Sequence, residues 1–217
     1  MKTVCAVLFS FSRDSGLVTS TASRALDLGC AVTVADDARD PMPEDVCAML
    51  RAAGCRVVET DFNRKGNLNG TECAVGMLDT FRNEAAGHGA DTVIKLDPDM
   101  WLGSLRWLPR AGEPGAVFSF KGVIMGAYSM RTDAIPALRR GVLENKWSCR
   151  VAEAFAIGTN LVRQGAVVHP TQNHLAEWTP ELDVASHDIV LMARWPRWAR
   201  EEGMRRLTAD HRREALR

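Results

Sequence analysis

The chain has 217 residues, 46% of them apolar and 25% charged, with 27 Lys plus Arg against 27 Asp plus Glu. That length and apolar share bury a large core and exclude a disordered chain, while the balanced charge gives no support to a nucleic-acid partner. No apolar run approaches the roughly 20 residues needed to cross a bilayer, and the six cysteines at 5, 30, 47, 55, 73 and 149 show no CxxC spacing, which predicts buried free thiols in a reducing cytoplasm and no structural zinc.

Strand-like and helix-like patterns alternate through the first half. Residues 1–11 form a short apolar stretch broken by Ser10, Ser12, Arg13 and Asp14, which reads as a first strand and not as a secretory leader. A loop over 12–16 leads to a helix whose Leu17, Val18, Ala22, Ala25 and Leu26 recur at near-helical spacing, with Gly29 placed as its C-cap. The second strand covers 30–35 and ends in Asp36-Asp37; Pro43 and the acidic pair Glu44-Asp45 then open a helix running through Val46, Met49 and Leu50 to Gly54. Residues 56–60 make a third strand and 61–70 a loop rich in Asn, Asp and Gly. A helix follows from about 71 to 86, with Cys73, Met77, Leu78, Phe81 and Ala85 as its stripe. The fourth strand, 91–96, runs directly into Asp97-Pro98-Asp99. Beyond it the pattern predicts strands at 116–120 and 122–130, helices at 134–143 and 151–164, and a short strand at 166–168. This order predicts an α/β protein, a single domain built on a Rossmann-like, mixed but mostly parallel sheet flanked by helices. Residues 193–217 read as a helical tail of that domain. Its Trp195 and Trp198, set among Arg194, Arg197 and Arg200, fit docking against the domain itself, a second subunit or an anionic lipid surface.

Asp97 and Asp99 are the most informative residues. Two carboxylates at the carboxyl end of a buried strand are costly to desolvate, and that edge is where open α/β sheets bind ligands. Hard oxygen ligands suit Mg2+ or Mn2+, which keep open positions for water and phosphate oxygens, so the pair predicts a metal-diphosphate site. Read without a ligand, Asp-Pro-Asp is an ordinary solvated turn.

Four segments together resemble the A-type (GT-A) fold of nucleotide-sugar-dependent glycosyltransferases, over roughly the first 175 residues. The strand and turn ending in Phe11-Ser12-Arg13-Asp14, followed by a helix and Val32-Thr33-Val34-Ala35-Asp36-Asp37, is similar to the strand-helix-strand of family 2 enzymes. Lys95-Leu96-Asp97-Pro98-Asp99 looks like the Lys-x-Asp-x-Asp of β-1,3-galactosyltransferase-like and fringe-like enzymes. The segment from Gly126 through Tyr128 to Asp133 resembles their glycine-aromatic strand beside the acceptor site. Glu153-Ala154-Phe155-Ala156-Ile157-Gly158, with Gly165 after it, is similar to their Glu-Asp-x-x-x-Gly segment.

The resemblance implies a metal-dependent transferase that moves a sugar from a nucleoside-diphosphate sugar to an acceptor hydroxyl. It implies donor contacts from Ser10, Arg13, Asp36, Asp37, Asn69, Lys95 and Asp97, with Lys65 and Asn67 as further loop candidates. Asp99 is the leading ligand for Mn2+ or Mg2+, assisted by Asp97 and by His169, with His174 as the alternative. Trp101, Trp107 and Trp147 are candidates either for stacking on a sugar or for the core. One position departs from the pattern: the second acid of the Glu-Asp pair, the usual base of inverting enzymes, is Ala154 here, which leaves Glu153 as the only acid for that role. Glu153 equally fits an ion pair, and Lys95 equally fits phosphate or a neighbouring carboxylate. A non-catalytic nucleotide-sugar-binding protein on the same fold, or another phosphate-handling enzyme, are the alternatives.

Overall fold

A computed structural model describes residues 3–62, 68–120, 123–170 and 189–191. The chain alternates β1 (Val4–Ser10), α1 (Ser15–Asp27), β2 (Ala31–Asp37), α2 (Glu44–Ala52), β3 (Arg56–Thr60), α3 (Gly70–His88) and β4 (Thr92–Leu96). It continues through β5 (Met100–Leu102), β6 (Gly115–Phe120), β7 (Val123–Arg131), α4 (Ile135–Asn145), α5 (Glu153–Arg163), β8 (Val167–Pro170) and β9 (Ile189–Leu191). Single 3-10 turns at Ser12–Asp14 and Thr132–Ala134 lead into α1 and α4, where the sequence predicted a loop and a helix start.

The main sheet has seven strands in the order β3-β2-β1-β4-β7-β6-β8. β7 pairs antiparallel with both β4 and β6; every other pairing in the sheet is parallel. The chain therefore winds outward from β1 to β3, then crosses back to lay β4 on the other side of β1. That reversal makes the β1/β4 boundary a topological switch point, where a crevice opens at the carboxyl ends of the strands.

Two apolar layers cover the faces. Val18, Ala22 and Ala25 of α1 and Val46 and Leu50 of α2 pack with Leu8, Val34, Ile94 and Leu96 on one side. On the other, Met77, Leu78 and Phe81 of α3, Leu138 of α4 and Ile157 and Leu161 of α5 pack with Val7, Val93, Tyr128 and Met130. Burial on both faces explains why β1 is continuously apolar instead of alternating. The same alternation that sends Ile94 and Leu96 to the first layer sends Val93 and Lys95 toward α3 and α5.

Sequence reading missed β5 and β9, which pair antiparallel as a separate two-stranded ribbon. Three residues are too few to show periodicity, and their pairing depends on a partner 89 positions away. Residues 193–217, with the predicted tail, lie outside the described residues, as do Lys65, Asn67 and His174. All six cysteines are free, five of them buried and Cys149 exposed. Among the described residues, no helix is long and apolar enough to cross a membrane.

Candidate active site

The register brings the predicted residues to one edge. Ser10 lies opposite Asp36 across β1 and β2, and Leu8 opposite Leu96 across β1 and β4, so the 97–99 turn and the ends of β1 and β2 all leave the sheet on the same side. Ser12 N–H donates to the Asp40 carbonyl at 2.9 Å, tying the turn after β1 to the loop after β2.

Helix α1 fixes the Asp-Pro-Asp turn. The buried Thr21 hydroxyl lies 2.6 Å from the Pro98 carbonyl and 3.0 Å from that of Met100. Arg24 donates Nε–H to the Leu102 carbonyl and an Nη2 hydrogen to that of Gly103, both at 2.7 Å, while its guanidinium sits 5.2 Å from the Trp101 ring centroid. Met100 N–H closes the turn onto the Asp97 carbonyl at 3.1 Å. These anchors satisfy backbone oxygens that a sharp strand exit leaves unpaired. Thr21 and Arg24 were missed by sequence reading; they stand more than 70 positions from their partners, and nothing local distinguishes them from other polar residues on a helix.

Beneath Asp97 lies a buried charged cluster. Lys95 is 1% exposed; its Nζ donates to Asp97 Oδ1 and stands 3.1 Å from Glu153 Oε1. The Glu153 contact is an ion pair between two buried side chains. The Tyr128 ring faces Lys95 with its centroid 5.9 Å from Nζ, and its hydroxyl is buried without a partner among the described residues. Burial by itself would depress the Lys95 ammonium, but the carboxylates of Asp97 and Glu153 outweigh it and hold the pKa above the usual lysine value. Burial raises the Glu153 carboxyl, with Lys95 opposing and Asp97 reinforcing that shift. It also raises the Tyr128 phenol, helped by the same two carboxylates. Glu153 is the first residue of α5, where the helix dipole favours an acid.

Position 154 explains itself in this geometry. Ala154 is 7% exposed and packs in the α3–α5 core layer, so on this backbone residue 153, not 154, meets Lys95. Of the two roles open to Lys95 in the sequence, the structure displays the pairing with neighbouring carboxylates.

The other predicted residues are distributed along the edge. Asp36 is 5% exposed and its carboxylate accepts Met42 N–H at 3.1 and 3.2 Å; burial raises its pKa against the hydrogen bonds from Met42 and Asp37. Asp37, fully buried, accepts Arg39 N–H at 3.0 Å. Ser10 is also buried and points its hydroxyl at Met42 Sδ, 3.1 Å away. Arg13 is exposed on the turn after β1. Asn69 forms an isolated bridge with Ala152 ahead of α5. His169 sits at the carboxyl end of β8, its ring 5.5 Å from that of Phe118. β8 is three strands from β4, about 14 Å across the sheet at ordinary strand spacing, so the structure does not bring His169 beside Asp97. Trp101 and Trp107 are buried, and only Trp147 of the three candidate tryptophans is partly exposed.

Asp97 and Asp99 both keep partial exposure. Among the described residues no three His, Cys, Asp or Glu side chains converge on one point. The donor set therefore does not make an all-protein cage; it fits a hard cation that takes two carboxylates and completes its shell with water and phosphate oxygens. Among the described residues, two cavities lie beside α3, and neither has Asp97 or Asp99 in its wall. One of about 450 Å³ lies between the β3 end and α3, with Thr60, Phe62, Asp79 and Thr80 in its lining. The other, of about 200 Å³, lies between the start of α3 and the α4–α5 connection.

A sheet of this order, with its reversed seventh strand and an Asp-x-Asp turn at the switch point, defines an A-type glycosyltransferase-like α/β fold. A solved structure shares this fold. The glycosyltransferase involved in glycosylation of the major capsid of PBCV-1 superimposes with a TM-score of 0.54 at 12% identity, over 94% of this chain and 99% of that one. Glucosyl-3-phosphoglycerate synthase from Mycobacterium tuberculosis, in complex with Mn2+, uridine diphosphate and phosphoglyceric acid, gives 0.49 at 14% identity, over 78% and 68%. No protein-family model and no curated protein sequence matches the chain.

Proposed function

We propose that the protein is a divalent-metal-dependent glycosyltransferase that moves a sugar from a nucleoside-diphosphate sugar to an acceptor hydroxyl. The observation that carries this reading is the Asp97-Pro98-Asp99 turn, held by α1 at the β1/β4 switch point of a glycosyltransferase-like fold. Asp99 and Asp97 are the residues that would hold Mn2+ or Mg2+; the cation, when bound, neutralises charge on the departing diphosphate. Lys95 holds Asp97 from below and offsets part of the charge of the two acids around it. Arg13, exposed on the turn after β1, is placed to meet diphosphate oxygens. Asp36, Asp37 and Ser10 shape the β2 end of the crevice through Met42 and Arg39. Glu153 takes the acceptor proton: it shares Lys95 with Asp97 of the Asp-x-Asp turn, and burial raises its carboxyl above the ordinary value, which makes it a stronger base.

The test is calorimetry with a panel of nucleoside diphosphates in Mn2+, Mg2+ or EDTA. Metal should strengthen binding of one of them at least tenfold, because two carboxylates otherwise repel an anionic ligand. Asp99→Ala should abolish that gain. Equal affinity in EDTA and in metal refutes a metal-dependent donor site.

A further inference from the structure

Cys73 and Cys149 stand far apart in the chain and share the wall of one cavity. The segment entering α3 and the connection from α4 to α5 are laced together by backbone hydrogen bonds: Gly70 N–H to the Val151 carbonyl at 2.8 Å, Thr71 N–H to that of Trp147 at 3.3 Å, and Glu153 N–H to that of Leu68 at 2.8 Å. Gly70 permits this crossing, since its φ of +86° suits glycine and a Cβ there would stand 3.0 Å from the Cys149 backbone. Cys149 projects from a tight turn closed by Val151 N–H on the Ser148 carbonyl at 2.9 Å, and it is exposed. Cys73 is 3% exposed. Both line the cavity of about 200 Å³ beside the crossing.

The spacing suits a disulfide, which needs Cα atoms roughly 4.4–6.8 Å apart. Cys73 is the i+3 neighbour of Gly70 on α3, a rise of about 4.5 Å, and the Gly70 position touches the Cys149 backbone. The two thiols therefore face one space across about one helical turn. Their surroundings also set them apart from the other cysteines. Burial raises the thiols of Cys5, Cys30, Cys47 and Cys55, which keeps these protonated and unreactive.

We propose that Cys149 and Cys73 are a peroxide-responsive thiol pair whose disulfide reversibly fastens the start of α3 to the connection into α5. The Cys149 thiolate attacks a hydroperoxide: an S–O bond forms, the O–O bond breaks, and the departing oxygen takes a proton and leaves as water or an alcohol. The Cys73 sulfur then attacks the Cys149 sulfenic acid, forming S–S and breaking S–O, and hydroxide leaves as water with the Cys73 proton. The two thiols together give two electrons to the peroxide. The bridge ties covalently the segments that already meet through the Asn69–Ala152 strand bridge, one residue before Glu153. It holds independently of the transferase reading.

The test exposes the reduced full chain to hydrogen peroxide, quenches with iodoacetamide and digests without reduction. Mass spectrometry should find the Cys73 peptide joined to the Cys149 peptide. The melting temperature should rise by roughly 4–16 °C and fall back with dithiothreitol. Cys149→Ser should show neither change, and Cys73→Ala should stop at a Cys149 sulfenic acid that dimedone traps. Cys149→Ser alters an exposed side chain and carries the test if Cys73→Ala unfolds. Cys149 left unmodified, oxidised on to sulfinic acid or bonded to a second chain while Cys73 stays a thiol, overturns the proposal. So does a Cys73–Cys149 bond that leaves the melting temperature unchanged.

Discussion

Replacing Lys95 by methionine removes the ammonium that pairs with both Asp97 and Glu153 while keeping the length of the side chain. In the wild type the lysine side chain is 2% exposed, that of Glu153 6% and that of Asp97 32%. Breaking a buried ion pair by deleting one partner costs about 3–5 kcal/mol, because the other charge is left without compensation. The lower end applies here: Asp97 is a third exposed and can hydrate, and Glu153 escapes part of the penalty by binding a proton. A loss of about 3 kcal/mol corresponds to a fall of roughly 6–12 °C in melting temperature for a domain of this size. Urea denaturation at pH 7 measures it, and a cycle with Glu153→Gln isolates the coupling. Glu153→Gln alone should cost much less than Lys95→Met, because it removes a carboxyl whose burial disfavours its charge and leaves Lys95 paired with Asp97, whereas the double variant should recover at least about 1.5 kcal/mol relative to the sum of the singles, since burying two neutral groups is much cheaper than burying one unpaired charge. The deficit of Lys95→Met should shrink as pH falls and the raised Glu153 carboxyl becomes protonated. A cost under about 1 kcal/mol, or strict additivity in the cycle, would refute the idea that Lys95 balances these carboxylates.

Three other outcomes are expected. If Glu153 takes the acceptor proton, Glu153→Gln keeps nucleoside-diphosphate affinity within a few-fold and lowers transfer by on the order of 10²-fold or more; unchanged turnover with any productive donor and acceptor moves the base elsewhere. Burial raises the Asp36 carboxyl in the folded state, so the native protein binds more protons there than the unfolded chain, and stability falls as pH rises from the unfolded value near 4 through the raised native one. Asp36→Asn should flatten that part of the denaturation-versus-pH curve, and identical curves would dismiss the effect. Burial pushes the Cys5 thiol up to about 12 and those of Cys30 and Cys55 to about 11, while Cys149 is exposed; native alkylation by iodoacetamide read by mass spectrometry should therefore label Cys149 first, and early modification of a buried cysteine would contradict the packing.

The sequence by itself determined the order of the first seven elements. β1 through β4 and the helices between them announce themselves by apolar runs long enough to show a period, with Gly29 and Pro43 punctuating the helix ends. It also placed Asp97 and Asp99 at a strand exit, because parallel strands joined by helices send every carboxyl end to one side. The alternation of Lys95 with Ile94 and Leu96 left that lysine open to phosphate or to a neighbouring carboxylate. Tertiary structure alone decided what those side chains meet. The sheet order that makes β1/β4 a switch point depends on which way the chain turns after β3, and no local pattern encodes that. Burial decided that Asp36 caps its own loop through Met42 and that 153 and not 154 faces Lys95, since a helix start displaced by one residue rotates its side chains by about 100°. Strand count separated His169 from the aspartates, although sequence distance gives no hint of it. The anchors Thr21 and Arg24 became visible only when segments far apart in the chain were packed together, because hydrogen-bond satisfaction is a property of a neighbourhood and not of a residue.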